Sequence, residues 1–343
     1  MAGSEFGTIF HISTWGESHG KGLGVVIDGC PAGLPLVEED FTSYMERRRP
    51  NGGKLSTKRK EPDAVEILSG TFEGVTTGTP ISLLIRNTDQ HSQDYTAIAD
   101  IFRPAHADFG FQTKYGVRDY RGGGRSSARE TAARVAAAAV STKILHSMGI
   151  TFETRVTAIG GVPFEDSEAV VDESRSRGDS LGSEVHCTVR GVPAGIGDPV
   201  FDKLDAALAG AIFSIGAVRS LDIGDGHKVS SMHGSENNDS FVVRGGKVIP
   251  ETNHAGGILG GISTGAPIEL HVYFKPTPSI SLPQKTVNRA GEEVEISIHG
   301  RHDPVIGPRA AVVVESMASL VILDQMMKNM TARLSSLQEF YRK

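Results

Sequence analysis

Seven consecutive residues, Arg121-Gly122-Gly123-Gly124-Arg125-Ser126-Ser127, set three glycines, two guanidiniums and two hydroxyls directly ahead of an alanine-rich run. Glycines let successive N–H groups curl around one anion. A helix start adds unpaired N–H donors, and the arginine fork suits phosphate. The spacing is neither a P-loop nor a G-x-G-x-x-G dinucleotide fingerprint. It therefore predicts an anion site of another kind, against the plainer alternative of a solvated glycine loop. A second basic stretch carries Arg47, Arg48, Arg49, Lys54, Lys58, Arg59 and Lys60 with no acid among them. It reads either as a basic lid over a polyanionic substrate or as cations favoured at a helix C-terminus.

Smaller clusters offer proton chemistry. Gly16-Glu17-Ser18-His19-Gly20 packs a carboxylate, a hydroxyl and an imidazole between small residues. Arg103-Pro104-Ala105-His106-Ala107-Asp108 holds a histidine that titrates near neutrality in its unperturbed state. Arg301-His302-Asp303-Pro304 sets a guanidinium and a carboxylate two residues apart, on one side of an extended segment. Asn253 to Gly261 is glycine-dense and permits close approach to a flat ring. Lys275-Pro276-Thr277-Pro278-Ser279 offers a cation and two hydroxyls beside stiff prolines. Each also has a plain reading as a turn or strand end.

The elements that must position these groups follow from hydrophobic periodicity. Strands are predicted at Leu23–Ile27, Glu66–Leu68, Ile81–Ile85, Val185–Val189, Ile268–Phe274 and Val294–Ile298, with a hairpin about Gly245-Gly246. Helices are predicted at Leu36–Arg49, after Asp202 as N-cap, at Ala128–Met148 and at Ala310–Leu337. Ser127 and Glu130 have capping-box spacing, and Gly149 is the expected stop. Asp166 to Ser183 reads as an exposed loop. The turn Gly29-Cys30-Pro31-Ala32-Gly33 is echoed by Gly191-Val192-Pro193-Ala194-Gly195, 162 residues on, which hints at duplication. Strands and helices mix without βαβ alternation, so the class is α+β.

Bulk composition narrows the partners. The 343 residues carry a net charge of −6, which does not favour nucleic acid or an anionic membrane. A nucleic-acid or other polyanion-binding module using Arg47 to Lys60 is the rival reading. Forty-one glycines exceed the usual share of about 7%. The two cysteines, Cys30 and Cys187, have no metal spacing and read as reduced thiols of a cytoplasmic protein. No signal peptide and no apolar run of about 18 residues is expected.

Three blocks together resemble the chorismate synthase family: Gly16 to Pro31, Arg118 to Thr131, and Gly300 to Pro304 continuing through Glu315-Ser316-Met317. The match runs from Gly7 to about Met327. The resemblance implies a β-α-β sandwich, with helices between two antiparallel sheets. It implies a single duplicated domain over 1–343, with halves near 1–160 and 161–343. It further implies a homotetramer, bound reduced FMN, and anti-1,4 elimination of phosphate from 5-enolpyruvylshikimate 3-phosphate.

Site residues carry over by position. The resemblance assigns His19 to phosphate departure, His106 to protonating the flavin, and Asp303 to the substrate proton, with Ser18 and Ser127 as relays. Substrate clamps are Arg48, Arg49, Arg125 and Arg301. Flavin contacts are Arg125, Ser126, Ser127, Gly216, Ala217, Gly260, Lys275, Pro276, Thr277, Pro278, Ser279 and Arg301. NADPH contact is associated with Arg48 and Lys54, but Lys54 stands where relatives often have arginine. His11 likewise replaces an expected arginine. Reduced flavin is expected from a separate source.

Overall fold

The computed structural model describes residues 3–49, 62–88, 98–298 and 303–342. One sheet contains β1 Glu5–Phe6, β2 His11–Gly16, β3 Gly22–Asp28, β4 Val65–Ile67 and β5 Ile81–Arg86, in the order β1-β2-β3-β5-β4. The other contains β6 Thr151–Ile159, β7 Val162–Pro163, β8 Ser183–Arg190, β9 Val218–Ile223 and β10 Ile268–Phe274, in the order β9-β10-β8-β6-β7. Both are antiparallel throughout. Apart from a single turn at Gly234–Asn237, the α-helices among the described residues are α1 Thr42–Arg48, α2 Asp108–Tyr115, α3 Thr131–Ser147, α4 Glu168–Ser176, α5 Leu204–Phe213, α6 Gly307–Asn329 and α7 Leu334–Tyr341.

Each sheet hides one face, and the strand period of two makes that face apolar. Leu23, Val25 and Ile27 stand opposite Ile85, Leu83 and Ile81, all fully buried. In the second sheet Val185, Cys187 and Val189 meet Val272, Leu270 and Ile268 in the same way. Between the sheets lie α3, packed against β3, and α6, packed against β6 and β8. The two helices pack on each other, and one apolar core runs through both sheets. The result is a sheet–helix–sheet sandwich.

The connectivity repeats. Omitting the short edge strands β1 and β7, β2-β3-β5-β4 and β6-β8-β10-β9 share one order. In each, a turn and a helix (α1 or α5) separate the second strand from the third, and a long helix (α3 or α6) follows the fourth. The turns Gly29–Gly33 and Gly191–Gly195 occupy matching places, each opened and closed by a left-handed glycine.

Several expectations need correction. Asp202 does not cap α5; Lys203 is the N-cap, and Asp202 pairs with Lys328. The helix expected at Ala310–Leu337 is two, α6 and α7, broken after Asn329. Asp166–Ser183 is not a loop throughout, for α4 forms there and buries Val171. The Ser127 capping box is half made. Ser127 Oγ accepts from the Arg129 N–H at 3.3 Å, but the Glu130 carboxylate turns to Arg134 at 2.9 Å. The start of that helix is a 3-10 turn over Ala128–Glu130. Finally, α6 is long and apolar enough to cross a bilayer, yet 89% of its apolar window is buried between the sheets.

Candidate active site

The glycine loop is shaped by backbone no other residue adopts cheaply. Gly122, Gly123 and Gly124 are all left-handed, with φ of 66, 90 and 53°. A Cβ on Gly122 would stand 2.1 Å from His19 Cε1, so the missing side chain is what seats the imidazole. Ser18 Oγ lies 3.1 Å from His19 Nδ1. Arg125 spans the same two loops, donating to the Gly16 carbonyl at 3.2 Å and to Thr14 Oγ1 at 2.7 Å. Asp119 holds Arg121 through two hydrogen bonds. Burial raises the Asp119 pKa, but the Arg121 hydrogen bonds and charge outweigh it and the net shift is downward. The loop is less open to an anion than its sequence suggests. The Ser126 and Ser127 N–H groups close onto the Gly123 and Gly124 carbonyls, and Arg121 is held by Asp119.

His106 sits in a second clamp. The buried Arg103 donates from Nε and Nη2 to Asp108, each at 2.8 Å, and its N–H also reaches that carboxylate at 3.1 Å. This closes the chain into a ring around Ala105, whose φ is 56°. The His106 Nε2 then lies 2.9 Å from the buried Ser279 Oγ. A Cβ on Gly123 would lie 3.7 Å from Arg103 Nη2, so this clamp adjoins the glycine loop.

Asp303 closes the circuit. Its carboxylate accepts from Arg309 Nη1 at 2.5 Å, and its carbonyl accepts from Thr277 Oγ1 at 2.8 Å. Arg309 Nε in turn donates to the Arg48 carbonyl at 3.0 Å. Arg48 reaches the Ala128 carbonyl, next to Ser127. The loops holding His19, His106 and Asp303 are thus joined by contacts into one rim near the start of α3. Ala217 belongs to it through the Lys275 N–H at 2.9 Å. Gly216 beside it is exposed. Gly260 stands apart, in a small hairpin beside Lys203 and Leu204.

The three adjacent arginines take different directions. Arg48 is 2% exposed, and its guanidinium is spent inward on Asp63 at 3.0 Å, Thr131 Oγ1 at 3.1 Å and the Ala128 carbonyl at 3.2 Å. In the structure it is a buried, ion-paired residue. The signal was available, since Phe41, Met45 and Arg48 fall at i, i+4 and i+7, the buried stripe of the α1 region. Arg47 is also used internally, against the buried Glu315. Arg49 keeps a partly exposed guanidinium. Arg301 and Lys54 lie outside the described residues. Arg309 and Asp108 were missed as supports, because nothing in their spacing tells a strut from a solvated charge.

The remaining donor set suits a phosphorylated, electron-rich ring system. Lys275 is half-buried and, through burial and then the nearby Arg219 charge, titrates below an ordinary lysine. Ser126 is exposed, its hydroxyl donating to the Gly123 carbonyl at 2.7 Å, and the space beside the exposed Gly216 is open, with no atom within 4 Å of an ideal Cβ there. These residues are compatible with a flavin phosphate.

The chain is thus an α+β sandwich of two like antiparallel sheets, with His19, His106 and Asp303 on loops joined at one end of it. The chorismate synthase family model matches residues 10–327, and the chain belongs to that family and is a lyase. The chorismate synthase of Lachnospira eligens is 53% identical and that of Agathobacter rectalis 52%, each alignment covering all of both chains. A solved structure titled "Crystal Structure of Chorismate Synthase" superposes with a TM-score of 0.73 at 29% identity, over 96% of each chain.

Proposed function

We propose that this chain converts 5-enolpyruvylshikimate 3-phosphate to chorismate by anti-1,4 elimination of phosphate, with reduced FMN present and no net redox change. The observation that carries the reading is the rim that joins the His19, His106 and Asp303 loops through Gly122, Ser279 and Thr277. Arg125, Ser126, Ser127, Gly216, Ala217 and Lys275 to Ser279 would hold the flavin, which when bound supplies electron density to the reacting ring. His19, seated against Gly122, donates a proton to the departing phosphate. His106, held by Ser279, keeps a proton available on the flavin side. Asp303, held by Arg309, helps take the ring proton. Arg49 and Arg301 neutralise the substrate's anionic groups. The enzyme acts in the cytoplasm as a homotetramer of duplicated domains and takes reduced flavin from a separate source, with Arg48 and Lys54 as the candidate NADPH contact.

The test is anaerobic addition of the enolpyruvyl substrate to protein with chemically reduced FMN, following chorismate absorbance and released phosphate. Stoichiometric chorismate and phosphate are expected. Binding of both ligands with no chorismate formed overturns the assignment.

A further inference from the structure

The segment Lys275-Pro276-Thr277-Pro278-Ser279 does more than line a cofactor site. Proline fixes its own φ and biases the preceding residue toward an extended shape. Two prolines at alternate positions therefore stiffen this stretch, which leaves the strand after Phe274 and bends at Pro278. Its three non-proline side chains are Lys275, Thr277 and Ser279. All three reach across to the segments that hold the proton-handling groups. Lys275 Nζ donates to the Ala105 carbonyl at 2.7 Å, next to His106. Ser279 Oγ lies 2.9 Å from His106 Nε2. Thr277 Oγ1 donates to the Asp303 carbonyl at 2.8 Å. The segment is itself anchored, since Ser180 Oγ donates to the Thr277 carbonyl at 2.7 Å and the Lys275 N–H to Ala217.

One five-residue strap thus contacts both His106 and Asp303, which are 197 residues apart in the chain. Both contacts are made by hydroxyls, groups that orient a partner without adding charge. We propose that Ser279 and Thr277 are positioning residues: the strap fixes the imidazole of His106 directly and the backbone at Asp303, from which the Arg309-held carboxylate projects, in one relative geometry. The inference rests on the function proposed above for those two groups. It adds that the strap's hydroxyls serve the protein's own acid and base, whatever cofactor contacts its backbone and lysine make. Displacing a reacting group by about 1 Å can cost roughly 100-fold in rate. The strap therefore acts on turnover and not on substrate affinity.

The experiment uses the full chain without cofactor first. Hydrogen exchange at histidine C2, read by mass spectrometry on the peptide holding His106, gives the titration midpoint of that imidazole. Ser279→Ala is expected to move it by about 0.5–1 pH unit, the scale of one lost hydrogen bond, and Ser279→Thr to restore it. With reduced FMN and substrate, Ser279→Ala and the isosteric Thr277→Val are expected to lower kcat about 10–100-fold, with KM within about threefold. Thr277→Ser should recover most of the loss. A folded Ser279→Ala protein with the wild-type His106 midpoint and wild-type kcat overturns the role of Ser279. Unchanged kcat in Thr277→Val overturns that of Thr277. If wild-type protein forms no chorismate, the proposed function fails, while the His106 midpoint still decides whether Ser279 governs that imidazole.

Discussion

Gly122 and His19 are fitted to each other: the space a Gly122 side chain would occupy is taken by the His19 ring, 2.1 Å from an ideal Cβ. Gly122→Ala must therefore turn the imidazole out of place and also hold alanine at φ 66°. The left-handed backbone costs about 1–2 kcal/mol. Turnover should fall at least about tenfold while the fold survives. Thermal melts beside steady-state kinetics measure both, and a variant with wild-type kcat would show that His19 need not stay where Gly122 seats it.

Asp108 should stabilise the fold in a pH-dependent way. Burial raises its pKa, but the Arg103 hydrogen bonds and charge, with Arg118 behind, bring the net shift below the ordinary value. A carboxyl depressed in the folded state stabilises above its unfolded pKa of about 3.9, and the contribution fades as pH falls through the folded value. Asp108→Asn leaves Arg103 buried and unpaired, a change that costs about 3–5 kcal/mol. Denaturant titrations at pH 7 and at pH 3 should show that difference shrinking. A constant difference at both pH values contradicts the argument.

Asp303→Asn should separate binding from chemistry. Asparagine keeps an oxygen for Arg309 but removes the charge and the basicity. Substrate affinity is expected to hold or improve, because an anion no longer faces an anionic substrate. Turnover is expected to drop about 10²–10⁴-fold, the range for a positioned acid or base. That pattern marks an interaction made during reaction. Weaker binding with normal single-turnover rates would make Asp303 a binding residue.

Both thiols should be silent in the native protein. Burial pushes Cys30 up to about 11 and Cys187 up to about 12, with the nearby Thr76 and Thr154 hydroxyls only partly offsetting it. The thiolate is the reactive form. A chromogenic disulfide reagent at pH 8 should therefore find neither cysteine until denaturant is added, and both thereafter. Prompt labelling of folded protein would rule this out.

Much of the fold was legible because sheet periodicity is local. Ile81, Leu83 and Ile85 announce their strand without help from the rest of the chain. Helix ends were harder. The 3-10 turn at Ala128–Glu130 carries Arg129 inward to Asp63, a partner 66 residues away that no local rule supplies. The short helix α4 was lost among polar residues with only Val171 and Ser174 buried. At the site, residue types came from motifs, but directions did not. Arg47, Arg48 and Arg49 look alike in sequence, yet one meets Glu315, one is buried on Asp63 and one keeps solvent contact. Contacts such as Thr277 to Asp303 arise only when two distant loops meet.

The alanines of α3 set a dimension. Ala132, Ala133, Ala136, Ala137, Ala138 and Ala139 are buried around the helix, and Ser141 Oγ meets Ser319 Oγ of α6 at 2.8 Å. Helix pairs separate by about 8–10 Å according to the side chains between them, and methyl-sized groups put this pair at the narrow end. The thickness of the whole sandwich is gauged by these small residues. His19 and Gly122 hang from one sheet's half and Ser279 and Asp303 from the other's, so the gauge also sets the gap across which those groups must meet. Widening the helix layer by even one leucine would act like a shim beneath one jaw of a vice, spoiling the alignment of the jaws without touching either.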